Sequence, residues 1–294
     1  MSEIIASPST RRIALEQGVD ITARARELGR TTIGPEDVGA RTAPARTPSA
    51  DTSRYWDVDH AQFGPVTTEK VSRFAQVAAA NMAAAQALVP AVTHHDRADV
   101  TVIEELRRAW KPEAQARGLK LTALVFHVAA LARCLRAHPR FNASLSADGQ
   151  TLILKDYVHI GIAVDTPHGL MVPVIRNADQ KGLWQIAAEI ADLASRAQAR
   201  KITPDQMGGA SMTITNLGGI GGTAFSPIVN PPEVAILGIT RTETITVWDG
   251  DTPRPVPMVP LDLSYDHRVI NGADAARFMV NYCALIAAPR NMLV

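Results

Sequence analysis

The sequence predicts an α/β protein of the mixed-sheet, α+β kind, with one large domain that follows a small all-helical domain. Helical and strand patterns alternate along most of the chain without the regular β–α–β rhythm of a doubly wound sheet. The composition also changes between residues 39 and 54, where Ala, Pro, Thr and Ser replace apolar periodicity. A chain of 294 residues is long enough for both domains.

Residues 1–40 form the predicted small domain. Ser7 and Pro8 are a favourable N-cap and first helical residue, and Gly18 is expected to end that helix after RRIALEQ. A second short helix is expected after Gly34 and Pro35. Residues 41–54 are predicted to be a flexible linker, which leaves residues 55–294 for the large domain.

The large domain begins with a predicted helix and ends with one. The predicted helices lie at residues 68–88, 121–137, 183–200 and 273–287. The second is apolar almost all round, so we expect it to be buried. A hairpin with ADGQ at its turn is predicted over residues 141–157. Further strands are predicted within residues 159–175 and at 211–215, 234–240 and 261–265.

The composition is that of an ordinary globular protein. Hydrophobic residues make up 46% and charged residues 20%, and the net charge of +1 gives no support to nucleic-acid binding. Two cysteines, Cys134 and Cys283, fit free thiols in a reducing compartment better than a disulfide. The longest apolar stretch, residues 121–132, is too short to span a membrane, and no signal peptide is evident. We therefore expect a cytoplasmic protein without a membrane partner.

One histidine stands where a predicted strand ends. His267 follows LDLSYD, and Asn271 lies at the predicted start of the last helix, as its N-cap with Asp274 as a reciprocal cap. A side chain at such a strand end can project into a cleft, which makes His267 a candidate general base. A structural histidine at a turn is the simpler interpretation of an isolated histidine, and the spacing alone leaves both open.

A second unusual stretch runs from Thr215 to Gly238 and contains five glycines and three prolines. Its GGIGG step lacks the Lys-Ser/Thr of a phosphate-binding loop and opens no predicted helix, so nucleotide binding is not expected. Close backbone packing is the better interpretation, and Thr215, at the end of the strand SMTIT, is a candidate hydroxyl donor.

The other histidines do not predict a metal site. His94, His95 and Asp96 are adjacent, but successive residues of a strand face opposite ways, and no further ligands recur at metal-binding spacing. His127 lies on the predicted buried helix and is expected to be a hydrogen-bonded core residue.

Three long stretches resemble a known family: VHIGIAVDTPHGLMVPVIRNADQKGL, MTITNLGGIGGTAFSPIVNPPEVAILGIT and SYDHRVINGADAARF. Through them, residues 55–294 resemble the catalytic domain of the dihydrolipoamide acyltransferases, the core component of 2-oxo acid dehydrogenase complexes. IGGTAFSPIVN and VWDG look most like the acetyltransferases of pyruvate dehydrogenase complexes. The resemblance implies the fold of chloramphenicol acetyltransferase and a homotrimer with active sites between neighbouring subunits. Whether trimers form a larger cage stays open.

The resemblance also implies roles for four residues. His267 matches the catalytic base that takes a proton from the thiol of coenzyme A or dihydrolipoamide, so that the thiolate attacks a thioester. Thr215 matches a serine or threonine of the neighbouring subunit whose hydroxyl hydrogen-bonds the oxyanion. Asn271 replaces the aspartate of the family's HxxxDG motif, as in some of its acetyltransferases, and Arg73 matches an arginine that supports the site. No metal is expected, and the residues that bind coenzyme A are not identified.

The resemblance extends to partners. Residues 1–40 resemble the peripheral subunit-binding domain that docks the decarboxylase or dihydrolipoamide dehydrogenase component, although RARELGRTT replaces that domain's glycine-rich loop. No Asp-Lys-Ala lipoylation site is present in the sequence, so we expect the lipoyl group on another protein. Two alternatives are a non-catalytic oligomeric scaffold and a small-molecule acetyltransferase of the same fold. The presence of both His267 and Thr215 argues against the first, and the docking-like segment argues against the second.

Overall fold

The structure is a computed structural model that describes residues 4–38, 57–167 and 169–292. The chain divides into two units, Met1–Lys70 and Val71–Val294. The predicted linker, residues 41–54, lies outside the described residues. Within the described part, no helix combines the length and apolar character that crossing a membrane requires.

The first unit contains two short helices. Its elements are β1 (Ile5–Ala6), α1 (Pro8–Gln17), α2 (Ile21–Leu28), β2 (Thr32–Ile33) and a 3₁₀ turn at Pro35–Val38, with β1 parallel to β2. The predicted caps of α1 are confirmed: the Ser7 hydroxyl accepts the Thr10 N–H at 3.1 Å, and Gly18 ends the helix at φ 66°. The sequence reasoning missed α2, which Asp20 caps by accepting the Thr22 N–H at 2.8 Å.

The second unit combines helices with a large sheet. Its elements are α3 (Arg73–Leu88), β3 (Ala91–Asp99), α4 (Thr101–Ala109), α5 (Lys111–Ala116), α6 (Ala123–Ala137), β4 (Ala143–Leu145), β5 (Leu152–Leu154), β6 (Ile160–Ala163), β7 (Val174–Ile175), α7 (Leu183–Gln198), β8 (Met212–Asn216), β9 (Ala235–Ile239), β10 (Glu243–Asp249), β11 (Thr252–Asp266) and α8 (Gly272–Ala287). The four predicted helices and the predicted strands are present. The first helix begins at Arg73 rather than at residue 68, because the Ser72 hydroxyl caps it by accepting the Ala75 N–H at 3.2 Å.

The large sheet is mixed, as predicted. Its strands follow the order β10–β11–β9–β8–β6–β7, and β3 also pairs with β11. β8 is parallel to both of its neighbours, whereas the other pairs are antiparallel. This arrangement confirms the α/β prediction.

Successive residues of the central strands face opposite sides of this sheet. Leu237 on β9 and Leu261 and Leu263 on β11 are fully buried in the main apolar cluster, together with α6 and α8. Phe126 on α6 is fully buried, and burial of such a side chain stabilises the fold by about 1.5–3 kcal/mol relative to exposure. The opposite face, here called the polar face, carries the smaller and polar residues Thr213, Thr215, Gly238, Asp262 and Ser264.

Candidate active site

A tight turn after β11 presents His267 to solvent. The Asp266 carbonyl accepts the N–H groups of Val269 and Ile270, both at 3.0 Å. The Asp266 carboxylate, 3% exposed, accepts the Arg268 N–H at 3.0 Å and its Nη2 at 2.6 Å. This ion pair raises the pKa of the Arg268 guanidinium. The residues on either side of His267 are therefore clamped to each other, which fixes the backbone that carries the imidazole.

The imidazole ring of His267 is exposed to solvent. Its backbone N–H donates to the Pro90 carbonyl at 3.1 Å, and its ring lies 5.8 Å from the Tyr265 ring, between centroids. Neither ring nitrogen makes a hydrogen bond to any residue in the described part of the chain, and the residue is exposed. A held backbone with an unengaged imidazole is what a general base requires.

Asn271 occupies the N-cap position of α8, as predicted. Its φ of −88° and ψ of 158° are extended, and its carbonyl accepts the Ala275 N–H at 3.0 Å. Its side chain makes no capping hydrogen bond, however, so that part of the prediction is wrong. The reciprocal cap by Asp274 is also wrong, because the Asp274 carboxylate accepts from Arg277 at 3.0 Å along the helix surface. The exposed Asn271 amide therefore stays available four residues after His267.

Thr215 lies on β8, on the polar face of the sheet. It pairs with Ala163 of β6 and with Gly238 of β9, and Gly238 pairs in turn with Asp262 of β11. Thr215 is half-buried, and its side chain makes no hydrogen bond to a described residue. It is therefore a hydroxyl in an ordered sheet without a hydrogen-bond partner in the described part of the chain.

The strand register separates Thr215 from His267. Thr215 is level with Asp262 on β11, and His267 lies five residues further along the chain. At about 3.3 Å per residue and about 4.7 Å per strand spacing, five residues along the strand and two spacings across the sheet place the two residues of one chain about 19 Å apart. One chain does not bring these two predicted site residues together.

The glycine-rich stretch covers the polar face beside Thr215. A Cβ added to Gly238 would lie 2.7 Å from Cζ of Phe225, so the ring occupies the place of a side chain. The Phe225 N–H donates to Oδ2 of Asp262 at 3.3 Å, and the other oxygen of that buried carboxylate bonds Nδ1 of His95 at 2.6 Å. The prediction of close backbone packing is confirmed, and His95 is engaged in a hydrogen bond to Asp262.

On the opposite face of β8, a cavity of about 370 Å³ opens beside Asn216, the residue after Thr215. Its cationic groups are Arg107 and Arg241. Arg107 pairs with Glu104 at 2.5 Å, and Arg241 Nη2 donates to the Ile220 carbonyl at 2.8 Å. The backbone of the glycine-rich stretch forms part of the wall. Two guanidinium groups beside one carboxylate leave an excess positive charge, which suits an anionic group such as a phosphate.

His127 also lines this cavity, and its predicted role is confirmed. Its Nδ1 lies 2.7 Å from the Tyr282 hydroxyl in the core. Burial lowers the pKa of His127 to about 4, so the imidazole is neutral at physiological pH. No sequence motif identifies Arg107 and Arg241 as site residues, because they lie on different parts of the chain that only the fold brings together.

Arg73 stands at the start of α3, where its guanidinium makes no hydrogen bond to a described residue. The free thiols of Cys134 and Cys283 are confirmed, and burial raises the pKa of each to about 12, so neither is a thiolate nucleophile. In residues 4–38, 57–167 and 169–292, no three His, Cys, Asp or Glu side chains gather as a metal ion would require.

Residues 63–294 match the family model of the 2-oxoacid dehydrogenases acyltransferase catalytic domain. The chain belongs to this family. It is 46% identical over 304 residues to the dihydrolipoyllysine-residue acetyltransferase component of the pyruvate dehydrogenase complex of Azotobacter vinelandii, covering 100% of this chain and 48% of that protein. The corresponding component of Pseudomonas aeruginosa is 45% identical, with 100% and 55% coverage. The chain thus spans about half the length of these curated relatives.

Solved structures agree with this assignment. The fold matches a structure of Azotobacter vinelandii dihydrolipoamide acetyltransferase with a TM-score of 0.79 and 51% identity, covering 81% of this chain and 98% of that one. That structure addressed the role of a serine, a histidine and an asparagine in the catalytic mechanism. The cubic core of a pyruvate dehydrogenase multienzyme complex matches with the same TM-score, identity and coverage.

Proposed function

We propose that this protein transfers an acetyl group between coenzyme A and a dihydrolipoyl group within a pyruvate dehydrogenase complex. The observation that carries the proposal is the exposed imidazole of His267, held between the clamped residues Asp266 and Arg268 in a member of this acyltransferase family. A positioned imidazole with an unengaged ring nitrogen can accept the proton of a thiol.

A spacing argument supports the assignment of the site residues. In the Azotobacter vinelandii enzyme, the catalytic histidine lies four residues before the asparagine and 52 residues after the serine. Thr215, His267 and Asn271 have the same spacing in this chain. Threonine keeps the hydroxyl of serine, so the chemistry of a hydrogen-bond donor is retained.

The proposed mechanism follows from these groups. His267 takes the proton of the attacking thiol, and the thiolate forms a carbon–sulfur bond to the thioester carbonyl. The Thr215 hydroxyl donates to the resulting oxyanion. When the tetrahedral intermediate collapses, its other carbon–sulfur bond breaks, and the departing thiolate receives the proton from the His267 imidazolium. The same steps run in reverse for the opposite direction of transfer.

Two chains are needed to complete such a site, and we propose a homotrimer that is able to form a larger core. The separation of about 19 Å between Thr215 and His267 is far beyond the reach of a shared substrate carbonyl, which both groups must approach within about 3 Å. A second observation supports assembly. Helix α3 is rich in alanine and carries exposed apolar residues, with Phe74 41%, Val77 55% and Leu88 65% exposed and only Ala85 buried. An apolar helix with one buried residue is suited to contact another copy of the chain.

We further propose that the cavity beside Asn216 binds phosphate groups of coenzyme A. Arg107 and Arg241 supply the charge, and the cavity adjoins the strand end that carries Thr215. Since Asn216 directly follows Thr215, a coenzyme whose thiol reaches the hydroxyl can pass the strand end and place its phosphates near the two guanidinium groups. This assigns a coenzyme A site that the motifs did not reveal.

The lipoyl donor and docking partners complete the proposal. The relatives are named for a dihydrolipoyllysine residue, which supports a lipoyl domain as the acyl carrier. Residues 1–40 are proposed to dock a decarboxylase or dihydrolipoamide dehydrogenase component, and the exposed Arg12 and Arg26 of the described N-terminal unit offer cationic contacts.

An acetylated lipoyl domain added as a separate protein should yield acetyl-CoA with this chain and coenzyme A. If free acetyl-dihydrolipoamide reacts while lipoyl domains from pyruvate dehydrogenase complexes do not, the lipoyl-domain part is wrong.

The central test is transfer from acetyl-CoA to dihydrolipoamide by variants of the two site residues. His267→Ala should lower turnover by about 10²–10⁴-fold without changing the mass of the assembly. Thr215→Ala should lower kcat with little change in KM, whereas Thr215→Ser, which keeps the hydroxyl, should stay near the wild type. His94→Ala, on strand β3 of the same sheet, serves as a control histidine. Activity of His267→Ala within a few-fold of the wild type would contradict the assignment.

A further inference from the structure

Glu233 is a buried carboxyl group on the polar side of the sheet. It is 6% exposed, and its Oε1 accepts from the Thr213 hydroxyl at 2.9 Å and from the Asn230 amide at 3.3 Å. Its Oε2 has no hydrogen-bond partner in the described part of the chain. A buried carboxyl with one oxygen unpartnered is unfavourable for folding, so its presence calls for a reason beyond stability.

Glu233 contacts β8, which carries Thr215, and its neighbour Val234 contacts the end of β11, which precedes His267. Thr213, its donor, lies two residues before Thr215 on the same face of β8. The Thr213 hydroxyl packs closely over Gly161, since a Cβ added to that glycine would lie 2.5 Å from the hydroxyl oxygen. Because this part of β8 is closely packed, we expect a change at Glu233 to act on Thr213 and, two residues further along the strand, on Thr215.

The other connection runs through the next peptide group. The carbonyl of Val234 accepts the N–H of Asp266 at 2.8 Å, and Asp266 is the residue that clamps the turn at His267. Glu233 thus stands between Thr213 on one side and the peptide that holds the His267 turn on the other.

The carboxyl group of Glu233 changes its charge near neutral pH. Burial raises the pKa of Glu233 to about 7, although its hydrogen bonds from Thr213 and Asn230 and the nearby Lys155 oppose the shift. Lys155 is itself partly buried, which lowers its pKa, and its ammonium donates to the Ala210 carbonyl at 3.1 Å. Ionisation of Glu233 places a charge on a group whose Oε2 has no donor, which disfavours the packed arrangement.

We propose that Glu233 is a positioning residue for the transfer reaction, holding β8 at Thr215 and the segment that supports the His267 turn in their productive places. The proposal rests on the proposed function. Glu233 contacts neither substrate, so its effect is indirect: it acts through Thr213 and through the Val234 peptide group.

The test compares variants that remove or keep the acceptor. Glu233→Leu and Thr213→Val should each lower kcat by at least about tenfold with KM for acetyl-CoA nearly unchanged, because small misplacements of reacting groups can cost ~10²-fold. Glu233→Gln and Thr213→Ser keep the acceptor and the donor and should stay within a few-fold of the wild type. The double variant of Glu233→Leu and Thr213→Val should be no slower than the slower single variant, since both remove the same contact. Glu243→Gln, on the exposed strand β10, is the matched control.

The pH dependence of kcat tests the positioning role further, because a residue with only a structural role would not change it. Glu233→Gln cannot ionise, so the ratio of wild-type kcat to that of Glu233→Gln should fall as the pH rises from ~6 to ~8. If Glu233→Leu does not fold, the kcat of Thr213→Val and the pH dependence of this kcat ratio test the proposal instead. A constant ratio together with an unchanged kcat of Thr213→Val would overturn the positioning role. An inactive wild-type protein would instead overturn the proposed function itself.

Discussion

Mixing two inactive variants offers a direct test of a site shared between chains. Thr215→Ala lacks the oxyanion donor and His267→Ala lacks the base, so each protein alone should be nearly inactive. In a cyclic trimer, every site would take Thr215 from one chain and His267 from the next. A site then regains both groups when its threonine comes from a His267→Ala chain and its histidine from a Thr215→Ala chain.

The expected magnitude follows from random assembly. Each of the two conditions holds with a probability of one half when the chains are equally abundant, so about one quarter of the sites become intact and about one quarter of wild-type activity returns. The register makes this expectation specific, because the about 19 Å between the two residues of one chain rules out a site completed within that chain.

The assay is acetyl transfer to dihydrolipoamide after the two variants are coexpressed, or denatured and refolded together. The control replaces one partner with the wild type and the other with the double variant of Thr215 and His267. Sites between chains again give about one quarter of wild-type activity, whereas sites within one chain would give about one half. No recovery in the first mixture, with one half in the control, would refute the shared site.

Three further predictions concern the surroundings of the site. Phe225→Ala removes the ring that lies over Gly238, next to Thr215. It should raise kcat/KM for butyryl-CoA relative to acetyl-CoA by at least about tenfold, because each methylene in a pocket contributes about 1–3 kcal/mol. An unchanged ratio of the two kcat/KM values would place the acyl group elsewhere. Arg241→Gln should raise KM for acetyl-CoA by about tenfold or more and leave KM for dihydrolipoamide unchanged, because a hydrogen bond to a charged group contributes about 1.5–3 kcal/mol. Arg254→Gln, on the exposed hairpin of β10 and β11, is the control. Glu233→Gln should raise Tm at ~pH 8 but not at ~pH 4. Burial raises the pKa of Glu233 in the folded protein from its ordinary 4.5 to about 7, so the wild type loses up to about 3 kcal/mol of folding stability as the pH rises through that interval. Thermal unfolding at both pH values checks this last expectation, and an equal Tm difference at the two would contradict it.

Local signals in the sequence were sufficient for much of the fold. Ser7, Pro8 and Gly18 predicted the ends of α1 because capping depends on neighbouring residues alone. Residues 121–137 are apolar almost all round, and this pattern predicted the burial of α6 for a similarly local reason, since such a helix has apolar residues on most of its faces.

The long strand β11 shows where such signals fail. Its first half has prolines at 253, 255 and 257, which argue against a strand in a sheet. The observed register pairs these prolines with alternate residues of β10. Because the backbone groups of successive residues point to opposite edges of a strand, prolines two residues apart affect one edge and leave the hydrogen bonds of the other intact. The consequence was that both β10 and half of β11 were missed.

The residues of the candidate site show the same difference between local and distant signals. His267, Thr215 and Asn271 were predicted because they belong to contiguous motifs. Arg241 and Glu233 were not, because their importance depends on partners that are distant in sequence, such as Arg107 for the cavity and Asp266 beyond the Val234 peptide. No periodicity or spacing relates these positions, so only the packed sheet could indicate them.

The arrangement of the chain explains why folding and activity should be separable. The main apolar cluster lies between the sheet and its own helices, so one chain supplies the core that holds β8 and β11 in register. The same register keeps Thr215 and His267 apart at opposite ends of the strands, while Glu233 hydrogen-bonds Thr213 on β8 and its neighbour Val234 hydrogen-bonds Asp266 beside His267. Under the proposed function, each chain therefore contributes to two different sites, and a dissociated chain keeps its sheet and loses every complete site. Dilution or mild denaturant that separates chains should accordingly abolish acetyl transfer before it changes the circular dichroism of the fold, and activity that persists in a monomer fraction would contradict the shared arrangement.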